Sequence, residues 1–215
     1  TLGPSLLFGD TPPLRALLGT LPVWDGIWHA CAGTFCLIVT TMLLAIGPGI
    51  GRDEETMKFV KKMVENFEKT IILDADGLYA AAEAKIDFKS CPGRLILTPH
   101  VGEFARLTGL SASEIEEKRI DAASDFSKKN RLVLVLKGAP TVIGLPDGRS
   151  YVNTTGNPGM ATGGMGDTLT GVIGAMAAQG MSPSSSAAVG VYLHGLAGEL
   201  LASETTVGYT AIDVS

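Results

Sequence analysis

The sequence predicts an α/β fold: a mainly parallel sheet with helices on both faces, in three layers. Three observations carry that expectation. From about residue 43 onward, short apolar runs alternate with stretches of helical spacing, the order expected of strand–helix–strand units. The run "LVLVL" is continuous and apolar, as suits a strand covered on both faces. And "LLAI" passes into the glycine-rich exit "GPGIG" at 47–51, with a helical pattern directly behind it.

Taken in order, "DEETMKFVKKMVENF" has acids in its first turn and Met57, Val60, Met63, Val64 and Phe67 at helical spacing, so it predicts a helix packed on the sheet. The strands "TIIL", before "DADGL", and "RLIL", before "TPHVGEFARLTG", come next, with Gly109 suited to a helix C-cap. "SASEIEEKRIDAASDFSKKN" predicts one helix opened by a capping box of Ser113 and Glu116. "TVIGLPDGRSYVNTT" predicts a hairpin turning at Pro146-Asp147-Gly148. "TLTGVIGAMAAQG" and "SSSAAVGVYLHGLAGELLAS" predict two helices rich in small residues, able to approach each other or the sheet closely. Residues 1–41 show no clear period; Trp24, Trp28 and His29 within them are expected to be packing aromatics and an incidental histidine.

The length, 215 residues, suits one domain over 1–215, with the motif-bearing part at 43–203 and residues 1–41 unassigned. Composition narrows the function classes. With 46% hydrophobic residues and 18% charged, the chain can bury a core, and its formal net charge of -5 argues against a general nucleic-acid binder. Cys31, Cys36 and Cys91 are an odd set without a C-x-x-C pair, so neither a disulfide framework nor a structural metal site is indicated and a reducing, cytoplasmic setting is expected. The most apolar run, "FCLIVTTMLLAI" at 35–46, is short of the roughly 20 residues that cross a bilayer, and part of it is read as a buried strand. No membrane partner is expected. The start at Thr1 leaves a processed or truncated beginning open.

The sharpest chemical signal is "NPGMATGGMGDTLTG" at 157–171. Gly163, Gly164 and Gly166 let the backbone curl until successive N–H groups point at one spot, and a helix start behind them adds partial positive charge, which together make an anion cradle. Asp167 stands at that cradle. Two readings are open for it: a general base aimed at a hydroxyl near a nucleotide phosphate, or a helix N-cap. His100 and Glu103 of "TPHVGEF" fall at a strand-to-helix junction, where ligands of open parallel sheets bind, and there His100 is either a ligand contact or a capping residue. Asp74 and Asp76 suit magnesium or a polar ligand, or serve only as turn aspartates. Lys137, Gly138 and Thr141 leave another strand as a phosphate or adenine wall, or as a solvated strand exit. His194 lies within a helix and reads as a packing residue. There is no G-x-x-x-x-G-K-[ST].

In order, "AIGPGIGRDEET", "LDADGL", "LTPHVGEFARLTG", "VLKGAPTVI" and "NPGMATGGMGDTLTGVIGAMAAQG" resemble the ADP- or ATP-dependent NAD(P)H-hydrate dehydratases, a branch of the ribokinase-like superfamily. The resemblance covers roughly residues 43–203, and the pairing of T-P-H-x-G-E-F with N-P-G-M-A-T-G-G-x-G-D separates it from sugar and vitamin kinases. It implies repair of NADH or NADPH that has taken up water: the ring hydroxyl is phosphorylated from ATP or ADP and phosphate is then lost. It implies that Gly51 and the segment His100, Val101, Gly102, Glu103, Phe104, Ala105 and Arg106 line the hydrated nicotinamide nucleotide. Lys137, Gly138, Ala139, Pro140 and Thr141 would hold the adenine nucleotide. So would the loop Asn157, Pro158, Gly159, Met160, Ala161, Thr162, Gly163, Gly164, Met165 and Gly166, with Asp167 facing the substrate hydroxyl as catalytic and substrate-binding residue. Magnesium is expected on the polyphosphate, with no protein ligand assigned, and a homo-oligomer, a tetramer, is the implied assembly. A cytoplasmic location is expected, or an organelle such as the mitochondrion for a eukaryotic chain.

Residues 1–41 lack the glycine-rich opening segment of the family, and "GYTAIDVS" stops before its final helix. Three expectations stay open for the ribokinase-like fold: a fragment truncated at the N-terminus, a chain divergent at both ends, or a front segment supplied differently. The alternatives are a ribokinase-like kinase for a vitamin precursor and a catalytically silent nucleotide-binding remnant.

Overall fold

A computed structural model describes residues 37–39, 43–204 and 209–214; Trp24, Trp28 and His29 lie outside the described residues. Seven strands run in chain order across one sheet: β1 (Leu37–Val39), β2 (Leu43–Ile46), β3 (Thr70–Leu73), β4 (Arg94–Leu97), β5 (Val133–Leu136), β6 (Val142–Gly144) and β7 (Ser150–Val152). Strands β2 to β5 are parallel, and β1, β6 and β7 add antiparallel edges. The apolar run of 35–46 thus yields two strands, with Leu37 opposite Ile46. The turn at Pro146-Asp147-Gly148 joins β6 to β7, closed by Gly148 N–H donating to the Leu145 carbonyl (3.0 Å).

Alternation along the strands sorts the core into two layers. Leu44, Ile46, Ile71, Leu73, Leu95, Leu97, Leu134 and Leu136 face one side, against α1 (Glu54–Asn66), α2 (Ala75–Glu83), α3 (Val101–Thr108), α4 (Ala112–Glu117) and α5 (Arg119–Asn130). Leu43, Ala45, Ile72, Ile96, Val133 and Val135 face the other, against α6 (Met165–Ala178) and α7 (Pro183–Glu204). Period-two alternation of apolar residues on both faces is what a sheet buried by helices on each side requires. A last helix, α8 (Ala211–Val214), closes over the start of α6 through Val214, Tyr209 and Met165.

Three local expectations are corrected. The stretch 111–130 forms two helices, broken at Lys118 (φ -124°, ψ 39°). The capping box is Ser111 with Glu114, two residues earlier than expected: Ser111 Oγ accepts from Glu114 N–H (3.3 Å) while Glu114 Oε2 accepts from Ser111 N–H (2.8 Å). Both partners of a capping box satisfy free N–H groups of the first turn, and Ile115 of this helix is buried in the core. Helix α6 begins at Met165, three residues before the expected start, with Gly164 as its N-cap.

Candidate active site

The parallel strands β2 to β5 all end at one edge, and their exits carry Gly47 to Gly51, Asp74 to Asp76, Thr98 to His100, and Lys137 to Thr141. Ligands of open parallel sheets bind outside such carboxyl ends. The exits lie close together: a Cβ on Gly47 would fall 2.0 Å from the Asp74 carbonyl oxygen, so only glycine lets the β2 and β3 exits pass.

Asp74 is buried, 1% exposed, at the head of α2. Lys137 Nζ donates to its Oδ1 (2.8 Å) and Thr170 Oγ1 of α6 donates to its Oδ2 (2.9 Å). Glu103 Oε2 lies 3.9 Å from the same ammonium. The glycine loop comes to this cluster from the other side, since a Cβ on Gly166 would sit 3.2 Å from Lys137 Nζ and 3.9 Å from Asp74 Oδ2. Asp74 is the buried counter-ion that ties β3, β5 and α6 together. Asp76 serves the β2 exit, accepting from Gly51 N–H (3.3 Å) and from Arg52 Nε (2.6 Å).

Asp167 is not the N-cap of α6; that position is Gly164, at φ +86°, and no side chain caps the helix. Asp167 lies in the first turn beyond it, half-buried, and its side chain makes no hydrogen bond among the described residues. Burial pushes its carboxyl above the ordinary aspartate value, the Asp74 charge adds to that, and Lys137 opposes it. A carboxylate with raised basicity, beside a fixed ammonium and a helix N-terminus, is equipped to take a proton next to an anion. Gly163 leaves open space where a side chain would stand, with nothing within 4 Å, and so gives an anion room against the α6 N–H groups.

His100 is the N-cap of α3: its Nδ1 accepts from Gly102 N–H (2.9 Å) and Glu103 N–H (3.2 Å), while Glu103 Oε2 accepts from His100 N–H (2.8 Å). The capping reading of His100 holds, with Nε2 3.5 Å from Glu103 Oε1 on an imidazole 61% exposed. Phe104, expected to line the substrate site, is fully buried against Phe126 with ring centroids 5.1 Å apart, so its side chain anchors α3 in the core. Met165, expected in the nucleotide loop, is likewise buried, against Tyr209 and Val214. Arg106 instead lies over the Tyr79 ring of α2.

The 137–141 loop is held from behind by a residue that sequence reasoning missed. Arg119, 7% exposed, donates from Nε to the Pro140 carbonyl (2.9 Å) and from Nη2 to the carbonyls of Lys137 (2.5 Å) and Leu136 (3.3 Å), while Nη1 pairs with Glu116 (2.6 Å). A Cβ at Gly138 would fall 2.0 Å from Nη2, so this glycine makes room for the guanidinium. Thr141 Oγ1 closes the loop by donating to the Gly138 carbonyl (3.0 Å), and the Ala139-Pro140 bond is cis. The loop from Asn157 is anchored as firmly. Asn157 caps the short turn Pro158–Met160, its Nδ2 donates to the Gly198 carbonyl (2.8 Å), and Tyr209 Oη donates to its Oδ1. No local signal in the sequence marks Arg119, Thr170 or Tyr209, because each acts across a long chain separation.

Among the described residues no group of three His, Cys, Asp or Glu side chains is placed to hold a metal ion, and no helix is long and apolar enough to cross a membrane.

Residues 37–215 match the family described as NAD(P)H-hydrate dehydratase. The chain is 48% identical over 157 residues to the bifunctional NAD(P)H-hydrate repair enzyme of Moorella thermoacetica, covering 73% of this chain and 30% of that one. It is 37% identical over 193 residues to the ADP-dependent (S)-NAD(P)H-hydrate dehydratase of Bacillus subtilis, covering 90% and 67%. It superimposes on the crystal structure of the ADP/ATP-dependent dehydratase of Bacillus subtilis grown with ATP and Mg2+ at a TM-score of 0.75 and 35% identity, covering 94% of this chain and 72% of that one. The chain spans about a third of the length of the bifunctional relatives. A mainly parallel sheet with helices on both faces, a glycine cradle at a helix start and a family match across residues 37–215 converge on one conclusion: the chain belongs to the NAD(P)H-hydrate dehydratase family.

Proposed function

We propose that this chain restores NADH or NADPH from their hydrates at the expense of ATP or ADP, in a single domain. The observation that carries the reading is Asp167, a half-buried carboxylate of raised basicity, free of any capping role, in the first turn of α6 behind Gly164. The nucleotide lies between the loop 157–166 and the exit Lys137 to Thr141, its phosphates against the α6 N–H groups and the open face of Gly163. Gly51 and the α3 head from His100 to Arg106, apart from the core side chain of Phe104, wall the hydrated nicotinamide nucleotide. Asp167 takes the proton of the ring hydroxyl as that oxygen attacks the terminal phosphoryl group, and the nucleotide leaves one phosphate shorter. The new phosphate ester then departs as inorganic phosphate, a far better leaving group than hydroxide, and loss of the neighbouring ring proton restores the double bond. Lys137, clamped by Asp74, places a fixed positive charge beside the group in transfer.

Magnesium fits as an ion carried by the polyphosphate, since it ordinarily keeps its waters and binds through substrate phosphates, and it supplies charge neutralisation there. The exposed apolar residues Tyr192, Leu193 and Leu200 of α7 support a homo-oligomer. Cys91, whose thiol burial pushes up to about 11, suits a reducing cytoplasmic setting as an inert side chain.

The test mixes the protein, magnesium and ATP or ADP with hydrated NADH and follows the reduced-nicotinamide absorbance. Return of absorbance with one phosphate released per turnover is expected. A stable phosphoester would identify a kinase instead, and nucleotide binding without turnover of any hydrate would identify a silent remnant.

A further inference from the structure

Two arginines from different elements lie over one aromatic ring at the same sheet edge. Arg52 Cζ lies 4.7 Å from the centroid of the Tyr79 ring and Arg106 Cζ lies 5.0 Å from it. Arg52 follows the β2 exit, Tyr79 stands on α2 behind β3, and Arg106 on α3 behind β4, so three consecutive strand–helix units build the cluster. It adjoins the catalytic edge: Asp76 binds both Gly51 N–H and Arg52 Nε, and the Glu103 charge reaches Arg52.

Two like charges brought to one ring repel unless acids or a ligand offset them. Asp76 takes one edge of Arg52, and Glu83 stands 3.6 Å from Arg106 Nη1. That leaves most of the donors unused. A guanidinium has five N–H groups; among the hydrogen bonds of the described residues Arg52 uses only Nε and Arg106 uses none. Both side chains are open to solvent, 60% and 50% exposed, while the ring holds each guanidinium in place by cation–π attraction. Oriented forks with free donors fit phosphate oxygens, and two of them stand at this edge of a chain whose net charge of -5 would otherwise repel a polyanion.

We propose that Arg52 and Arg106, seated on Tyr79, form an anion subsite for the phosphate groups of the dinucleotide substrate. This rests on the hydrate-repair reading above. Two phosphates have the required chemistry: the bridging pyrophosphate, common to both hydrates, and the 2′-phosphate of hydrated NADPH alone.

The test compares wild type with Arg52→Gln, Arg106→Gln and the double variant on hydrated NADH, hydrated NADPH and the hydrated mononucleotide that lacks the adenylate half. The preference in kcat/KM for dinucleotide over mononucleotide should fall by about 10- to 100-fold in the double variant, the size expected for lost charge-assisted hydrogen bonds. Equal falls for the two hydrates identify the pyrophosphate; a larger fall for hydrated NADPH identifies the 2′-phosphate. Tyr79→Phe keeps the ring and should keep the preference, whereas Tyr79→Ala should lose it. An unaltered preference in the double variant overturns the subsite. For a chain that turns over no hydrate, calorimetry with NADP+ in the presence of a saturating non-hydrolysable ATP analogue decides: weaker binding by the double variant sustains the subsite while the repair reading falls, and equal binding overturns the subsite as well.

Discussion

The ammonium of Lys137 and the buried carboxylate of Asp74 are 2.8 Å apart across 63 residues of chain, and Thr170 completes the carboxylate's hydrogen bonding from α6. Removing one partner of such a pair leaves the other charge uncompensated, at a cost of roughly 3–5 kcal/mol. Asp74→Asn is expected at the lower end of that range, because Lys137 remains 20% exposed. Asp74→Asn with Lys137→Met should be more stable than the sum of the single losses. A double-mutant cycle by urea denaturation measures this, and additive losses would show that the pair is not coupled.

Asp167→Asn should lose turnover by about 10²–10⁴-fold, the usual worth of a general base. Stability should hold, since the residue caps nothing and a neutral amide removes the cost of burying charge. The sign of the pH effect follows from the raised carboxyl. The base form is lost as pH falls through a value above the ordinary 3.8, so the acid limb of kcat/KM lies above that of a free aspartate. Asp74→Asn deletes the nearby like charge and should move the limb to lower pH. A limb that stays put in that variant separates the titration from Asp167.

Gly164 has φ +86°, and a Cβ there would lie 3.1 Å from the Ala211 side chain. Gly164→Val should therefore strain the cradle and weaken nucleotide binding by about 1–3 kcal/mol. Gly163→Ala meets nothing within 4 Å, so it should leave the melting temperature intact while intruding on the proposed phosphate site. Calorimetry with ATP and magnesium on both variants checks the placement; wild-type affinity in both would put the phosphates elsewhere.

Arg119 is expected to act on the nucleotide through the loop it holds. Arg119→Lys keeps the charge and loses the fork that serves Leu136, Lys137 and Pro140. Each bond lost is worth about 1.5–3 kcal/mol at most, so KM for ATP should rise on the order of 10-fold with a fall in stability of roughly 2 kcal/mol. Steady-state kinetics beside denaturation tests it. A stability loss with unchanged KM would confine Arg119 to a scaffolding role.

The sequence by itself determined the layered α/β plan, the hairpin at 146–148, the Gly109 cap and the exits where chemistry collects, because these rest on short-range patterning: alternation, helical spacing and glycine placement. It also marked Asp167 and the glycine cradle, since a run of glycines at a helix start has few other physical uses. Tertiary structure alone decided what each marked residue does. The sequence pattern put the capping box at Ser113 with Glu116, and the fold put it at Ser111 with Glu114. His100 and Asp167 each had a capping and a chemical reading, and the fold gave the cap to His100 and to Gly164, leaving Asp167 unengaged. Phe104 sits inside a motif yet belongs to the core, because helical periodicity turns it away from the edge that Arg106 faces. Asp74 with Lys137, Arg119 with the Pro140 loop, and Arg52 with Arg106 are pairings between distant parts of the chain. Their energies come from burial and from charge geometry, which exist only once the strands have brought their ends together.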